Sequence, residues 1–376
     1  MTKGIGGTMS ETRREWKETN GVYRSGRDNR MKAAVCDVFG KPLAIRDVPT
    51  PSPGPGELLI RVHGCGVCHS DLHLVDGDWA AWGTPLPIIP GHEVTGIVEK
   101  IGEGVTAFAP GDRVGVPWMQ YACGRCAPCK AGAEMLCAAQ RSTGVTVNGG
   151  YAEYVSAPEA FVHEIPGGLD LVEAAPLLCA GITVFAPLRR AGNLAGKTVA
   201  VAGIGGLGHL GVRMASAMGA HVVAIVRGPG KAELARSLGA RDVIDSEKVK
   251  IGRALTNMGG ADLILLTGIS ARLFEQCIPG LGPNGTLVIL AAIAENASVL
   301  PAGIITGQKR IVGSLIGTRD DMDAMLRFAA DHGIRSMVER HPLSAVNDVL
   351  GKLRDGKVRL RAVLTPTPPA TDGVFQ

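Results

Sequence analysis

The sequence has no uninterrupted apolar run of membrane-spanning length, although 45% of its 376 residues are hydrophobic. A helical membrane protein is thereby excluded, and a soluble globular chain is expected. It also lacks a strong charge of either sign: 39 Lys and Arg against 35 Asp and Glu leave a formal net charge of +4. Residues 1–30 alone hold seven of the basic side chains and four of the acidic ones, so the rest of the chain is close to neutral. No nucleic-acid partner and no membrane partner follow from that balance. The first thirty residues have no apolar core of a secretory signal. They lack strand or sustained helical periodicity as well, and Gly4, Gly6, Gly7 and the charged stretch Glu11 to Glu18 make residues 1–30 a flexible extension in this reading. A transit peptide would avoid acids such as Glu11, Glu15 and Glu18, which leaves the cytoplasm as the expected compartment.

What is present is organised in two styles. At 376 residues the chain exceeds one ordinary domain. From Met31 to about Ile182 it reads as short β-like runs broken by Gly and Pro, among them Glu57 to Val62, Glu93 to Ile101 and Tyr151 to Ser156. Between Lys197 and Gly317 apolar strands alternate with helical stretches: Thr198 to Ala202, His221 to Val226, Asp242 to Ile244, Asp262 to Thr267, Thr286 to Ala291 and Ile311 to Ile316. Six strands with crossover helices imply a doubly wound parallel sheet. The fold class is therefore α/β, with a β-rich domain over 31–181, the parallel-sheet domain over 182–317 and a return to the first domain over 318–376.

Cys123, Cys126, Cys129 and Cys137 form a C-x2-C-x2-C-x7-C run in a loop rich in Gly and Pro. Four thiolates with no open position suit a structural zinc ion that holds together a segment too polar to bury much surface. Two disulfides or an iron–sulfur cluster use similar spacing. A second set is more dispersed: Cys68, His92 followed by Glu93, and Cys179. Two thiolates and one imidazole leave a fourth zinc position open to water or substrate, which is the arrangement of a catalytic site.

Gly203-Ile204-Gly205-Gly206-Leu207-Gly208 follows the apolar strand Thr198 to Ala202 and opens an amphipathic helix. In that context the glycines permit a tight turn, close approach of a pyrophosphate and close helix–strand packing. The second strand ends at Val226, Arg227 and Gly228, without the carboxylate that accepts from a ribose 2′-hydroxyl. Arg227 could instead pair with a 2′-phosphate, so NADP(H) is the expected cofactor and NAD(H) the alternative.

Gly66 to His73, Gly91-His92-Glu93, the four-cysteine lobe, Leu178 to Thr183 and the glycine turn together resemble the zinc-dependent medium-chain alcohol dehydrogenases, especially the tetrameric microbial type, over about residues 31 to 365. The resemblance implies a GroES-like catalytic domain and a Rossmann coenzyme domain, a homo-oligomer (tetramer or dimer), and two Zn2+ per chain. By position it implies catalytic zinc ligands Cys68, His92 and Cys179, with Glu93 beside the metal and Asp71 orienting His92. It makes Ser70 the acceptor of the substrate proton and His73 its relay to solvent, with Trp79 and Trp118 as pocket walls. His69 and Arg361 fall at the pyrophosphate, Thr183 and Leu207 at the nicotinamide. The function implied is hydride transfer between a small primary or secondary alcohol, or the matching aldehyde, and a nicotinamide. A catalytically silent or quinone-reductase-like member of the fold is the alternative, and such proteins are expected to lack the ligand set. A polyol dehydrogenase would carry a carboxylate where Cys179 stands, and a glutathione-dependent formaldehyde dehydrogenase would carry extra loop length.

Overall fold

The computed structural model describes residues 29–228 and 230–366. The extension expected over residues 1–30 falls almost wholly outside them, and Arg30 already begins the first strand, Arg30–Val35.

All six expected strands of the second unit form, in one sheet: Thr198–Ala202, His221–Val226, Asp242–Asp245, Ala261–Leu266, Leu281–Ile289 and Arg310–Gly313. Numbered along the chain they lie in the order 3-2-1-4-5-6, all parallel. Their continuous apolar character has a direct cause. Val199, Val201, Val222, Ala224, Leu263 and Leu265 pack on one face, and Ala200, Ala202, Val223, Ile225, Ile264 and Leu266 on the other. A parallel sheet covered by helices on both sides has no solvent face on which polar residues could alternate. The order reverses between strands 1 and 4, which opens a crevice at their carboxyl ends where a ligand can sit.

The first unit is built on the long strand Glu57–Val67. It pairs antiparallel with Val94–Ile101, Tyr154–Pro158 and Arg361–Thr365. Val338–Pro342, Arg113–Val116 and His163–Glu164 complete the seven-stranded sheet. The chain thus leaves this sheet, builds the parallel-sheet unit, and returns. Helix Arg319–Asp331 buries Met322, Met325, Leu326 and Ala329 in the same cluster as the parallel-sheet helices, and Arg189 and Arg190 reach Asp321 at 2.9 and 3.2 Å. Its start is fixed locally by a capping box between Thr318 and Asp321. Among the described residues no single helix is long and apolar enough to cross a membrane.

Candidate active site

Strand register assembles the centre. Cys65 pairs with Val94, so Cys68, just after the end of one strand, and His92-Glu93, just before the start of the other, come side by side. Val67 pairs with Ala362, which carries Arg361 to the same end. Cys179 arrives separately, as the cap residue of helix Ala180–Arg190, whose first turn also carries Thr183. The result is a buried cluster in which one ligand atom from each of Cys68, His92, Glu93 and Cys179 lies within 4.8 Å of the others.

Asp71 organises this cluster. It is 2% exposed. One carboxylate oxygen accepts from the Cys68 backbone N–H at 2.8 Å and from the Tyr151 hydroxyl at 2.9 Å. The other lies 3.1 Å from His92 Nδ1. A carboxylate can only accept, so Nδ1 carries the proton and Nε2 presents a lone pair to the cluster. That Nε2 is buried with no hydrogen-bond partner. Cys68 is held well below the ordinary thiol range, chiefly by a hydrogen bond from the Cys179 thiol, which is pushed up in turn. An orphaned imidazole nitrogen beside two cysteine sulfurs is a donor set that could hold a metal ion such as zinc. Glu93 adds an oxygen: Oε2 is buried without a partner while Oε1 pairs with Arg361. Burial pushes the Glu93 carboxyl up to about 7, against the pull of the Arg361 guanidinium.

Arg361 joins the centre to the dinucleotide turn. Expected at a pyrophosphate, it is 4% exposed and forms the buried ion pair with Glu93, yet its Nη1 also lies 3.3 Å from where a Cβ on Gly206 would stand. In the turn itself Gly203 has φ +100° and a Cβ on Gly208 would run into the Gly203 carbonyl oxygen. Space at Gly205 is open, so the backbone can meet a phosphate there. Leu207 caps the helix Gly208–Ala217 that follows. His69, Ser70 and His73 share helix His69–Asp76. His73 Nδ1 is 2.7 Å from Asp78 and its ring is 5.5 Å from that of Trp79. Trp118 stands edge-on to His92 at 5.0 Å and to Trp79 at 5.8 Å. Arg227 is exposed at the end of its strand.

The second cysteine set also converges. The sulfurs of Cys123, Cys126, Cys129 and Cys137 lie within 4.8 Å of one another, and Cys123 and Cys129 are 4.0 Å apart. A tetrahedron with zinc–sulfur bonds of about 2.3 Å has sulfur–sulfur edges of about 3.8 Å, so the site fits one ion. All nine cysteines are free thiols, which removes the disulfide alternative.

Sequence reading missed His209, whose only signal is its place directly after the glycine turn. It is fully buried; Nδ1 lies 3.0 Å from the Gly205 carbonyl oxygen, and Nε2 accepts from the Met337 backbone N–H at 3.4 Å. Burial holds its pKa down to about 4. The unfolded chain takes this proton near pH 6.5 while the native state refuses it. The stabilisation is therefore complete above pH 6.5 and lost as pH falls toward about 4, a change of about 3 kcal/mol. Melting at pH 7 and pH 5 should show the wild type losing more stability than His209→Gln; equal losses would contradict the assignment.

A cysteine–imidazole cluster that could hold a metal ion, joined by a buried arginine to a glycine turn after the first parallel strand, is the arrangement of a nicotinamide-type dehydrogenase. Residues 54–167 match the alcohol dehydrogenase GroES-like domain and residues 206–331 the zinc-binding dehydrogenase domain. An alcohol dehydrogenase of Geobacillus stearothermophilus is 41% identical over 335 residues, covering 89% of this chain and 99% of the relative. Aldehyde reductase YahK of Escherichia coli is 37% identical, covering 89% and 98%. Among solved structures, a zinc-binding dehydrogenase from Sinorhizobium meliloti bound to NADP has TM-score 0.80 and 30% identity, covering 90% of this chain and 100% of its own. An NAD-dependent alcohol dehydrogenase has TM-score 0.83 and 29% identity, covering 90% and 100%. The chain belongs to the zinc-type medium-chain alcohol dehydrogenase family, and its function is that of an alcohol dehydrogenase or aldehyde reductase.

Proposed function

We propose that this enzyme is zinc-dependent, with one catalytic and one structural ion per chain, that it favours NADP(H) over NAD(H), and that it works in the cytoplasm as a homo-oligomer on small alcohols and aldehydes. The observation that carries the reading is the orphaned His92 Nε2 facing Cys68 and Cys179, with Arg361 linking that centre to Gly206. When bound, zinc supplies Lewis acidity that acidifies a hydroxyl or polarises a carbonyl, and the nicotinamide supplies or accepts hydride.

The chain's own residues do the rest. Asp71 keeps His92 in its ligand tautomer. Trp79 and Trp118 place apolar surface against the reacting carbon and exclude water. Ser70 and His73 are three residues apart on one helix, hence on one face. Ser70 takes the proton and His73, about two-fifths exposed and steadied by Asp78, passes it to solvent. Bulk water can replace a terminal relay more readily than a hydroxyl touching the substrate oxygen. Ser70→Ala should therefore lower kcat by about a hundredfold or more, and His73→Ala by about tenfold less than that. Equal losses in steady-state assays would contradict this order.

Cofactor choice rests on Arg227. It is exposed where a dinucleotide's 2′ position would lie and makes no hydrogen bond or ion pair with another described residue. A charge-assisted hydrogen bond is worth about 1.5–3 kcal/mol, roughly ten- to a hundred-and-fifty-fold in affinity. Initial rates on primary alcohols and aldehydes with both cofactors test the reading. Arg227→Gly should remove most of the NADPH advantage in kcat/KM, and a wild type favouring NADH tenfold would overturn it. Association is supported by the open sheet edge at Arg310–Gly313, where Val312 is 41% exposed. Nine cysteines with no disulfide among them suit a reducing compartment.

A further inference from the structure

His209 has both ring nitrogens engaged, and each bond reaches a different part of the molecule. The Met337 backbone N–H can only donate, so Nε2 accepts from it at 3.4 Å and the ring proton stands on Nδ1. Nδ1 therefore donates to the Gly205 carbonyl oxygen at 3.0 Å, an oxygen that the His209 backbone N–H also reaches, at 3.1 Å. Two donors fix the direction of that carbonyl. A trans peptide is planar with its C=O and N–H opposed, so the Gly206 N–H is turned the other way, away from the helix. Among the described residues it donates to no partner. Arg361 flanks the same spot, since a Cβ on Gly206 would stand 3.1 Å from its Cδ and 3.3 Å from its Nη1. The far side of the ring is braced as well. Arg213, one turn along helix Gly208–Ala217, donates to the carbonyls of Gly333 and Arg335 at 2.9 and 3.1 Å. With the Met337 bond these tie the helix to the segment that leads into strand Val338–Pro342 of the seven-stranded sheet.

We propose that His209 is a positioning residue for the dinucleotide: by holding the Gly205 carbonyl while braced on Met337, it aims the Gly206 N–H at the pyrophosphate. The inference rests on the dinucleotide reading above and adds the side chain that sets the turn. An amide held in place before the anion arrives loses little freedom on binding, and its hydrogen bond to a charged oxygen is stronger than one between neutral partners. His209 is 0% exposed and touches neither cofactor nor substrate. Its effect passes wholly through the Gly205–Gly206 peptide.

The two ring bonds can be separated by substitution. A Gln amide oxygen reaches the level of Nε2 and keeps the Met337 bond without the donor to Gly205, whereas an Asn amide nitrogen stands at the level of Nδ1 and keeps that donor. The test measures Kd for NADPH and NADH by nicotinamide fluorescence, and for ADP-ribose by competition, in wild type, His209→Gln and His209→Asn. His209→Gln should weaken all three by about two- to twelvefold, the range of one neutral hydrogen bond, with KM for the cofactor rising by more than kcat falls. His209→Asn should stay close to wild type in all three affinities even where its melting temperature is lower. Equal weakening in both variants would overturn the proposal, being the result of a merely structural role, as would wild-type affinities in His209→Gln or failure of both variants to fold. A wild type that binds none of the three ligands would overturn the underlying dinucleotide reading, a failure distinguishable from the others.

Discussion

Cys68→Ala should abolish turnover while leaving a folded chain that still binds its dinucleotide. Cys68 contributes a sulfur to the buried cluster and caps helix His69–Asp76, but its hydrogen bond to Asp71 comes from the backbone and survives the substitution. The glycine turn belongs to the other sheet, stabilised by the apolar packing on both of its faces. A zinc ion's stabilisation of developing charge is worth several kcal/mol, so the loss in kcat should reach about a thousandfold or more. Cofactor titration by nicotinamide fluorescence and thermal melting check the other half of the prediction. A Cys68→Ala enzyme within tenfold of wild-type kcat would contradict the catalytic assignment.

Cys126→Ala should have the opposite signature, with stability failing first. The lobe around it has a minimal core of its own: Met119, Ala122, Cys137 and Phe161 are the buried members of its cluster. Much of its remaining order comes from sulfur, since the Cys126 backbone N–H donates to Cys123 Sγ and the Cys123 N–H to Cys137 Sγ, both at 3.4 Å. The lobe is also a tie between the units, because Arg319 donates to Glu134 at 2.9 Å and stacks 4.8 Å over Phe161. Losing a metal from such a segment removes folding energy directly. A loss of a few kcal/mol corresponds to a fall in Tm of roughly 10 °C. Unchanged melting with metal still in the lobe would show that the four sulfurs do not act together.

The parallel sheet was legible because burial on both faces leaves uninterrupted apolar runs, and Thr198–Ala202 and His221–Val226 match the expected bounds. Strand Leu281–Ile289 begins before the expected Thr286, since Gly282-Pro283-Asn284-Gly285 reads as a turn and is accommodated by a register irregularity. The strand expected to run to Ile316 stops at Gly313, and Ile316 adopts φ +46°, which a strand cannot continue through. The two groups of side chains that could hold a metal ion were legible from residue type and neighbourhood. Their supports were not: Arg361 and Glu93 are 268 residues apart, Tyr151 reaches Asp71 across 80, and His163 reaches Asp323 across 160. Strand register and domain packing make those pairs, and neither leaves a local mark. Helix Arg319–Asp331 packs against both units, a placement the sequence does not show because its amphipathic pattern reports a buried face without naming what covers it.

The account stands on two metal centres of different kinds in one chain, and elemental analysis of the purified, chelator-washed protein tests that most directly. Wild type should hold about two zinc per chain, Cys68→Ala and Cys126→Ala about one each, with turnover lost in the first and stability in the second. One zinc or none in a fully active wild type would contradict it.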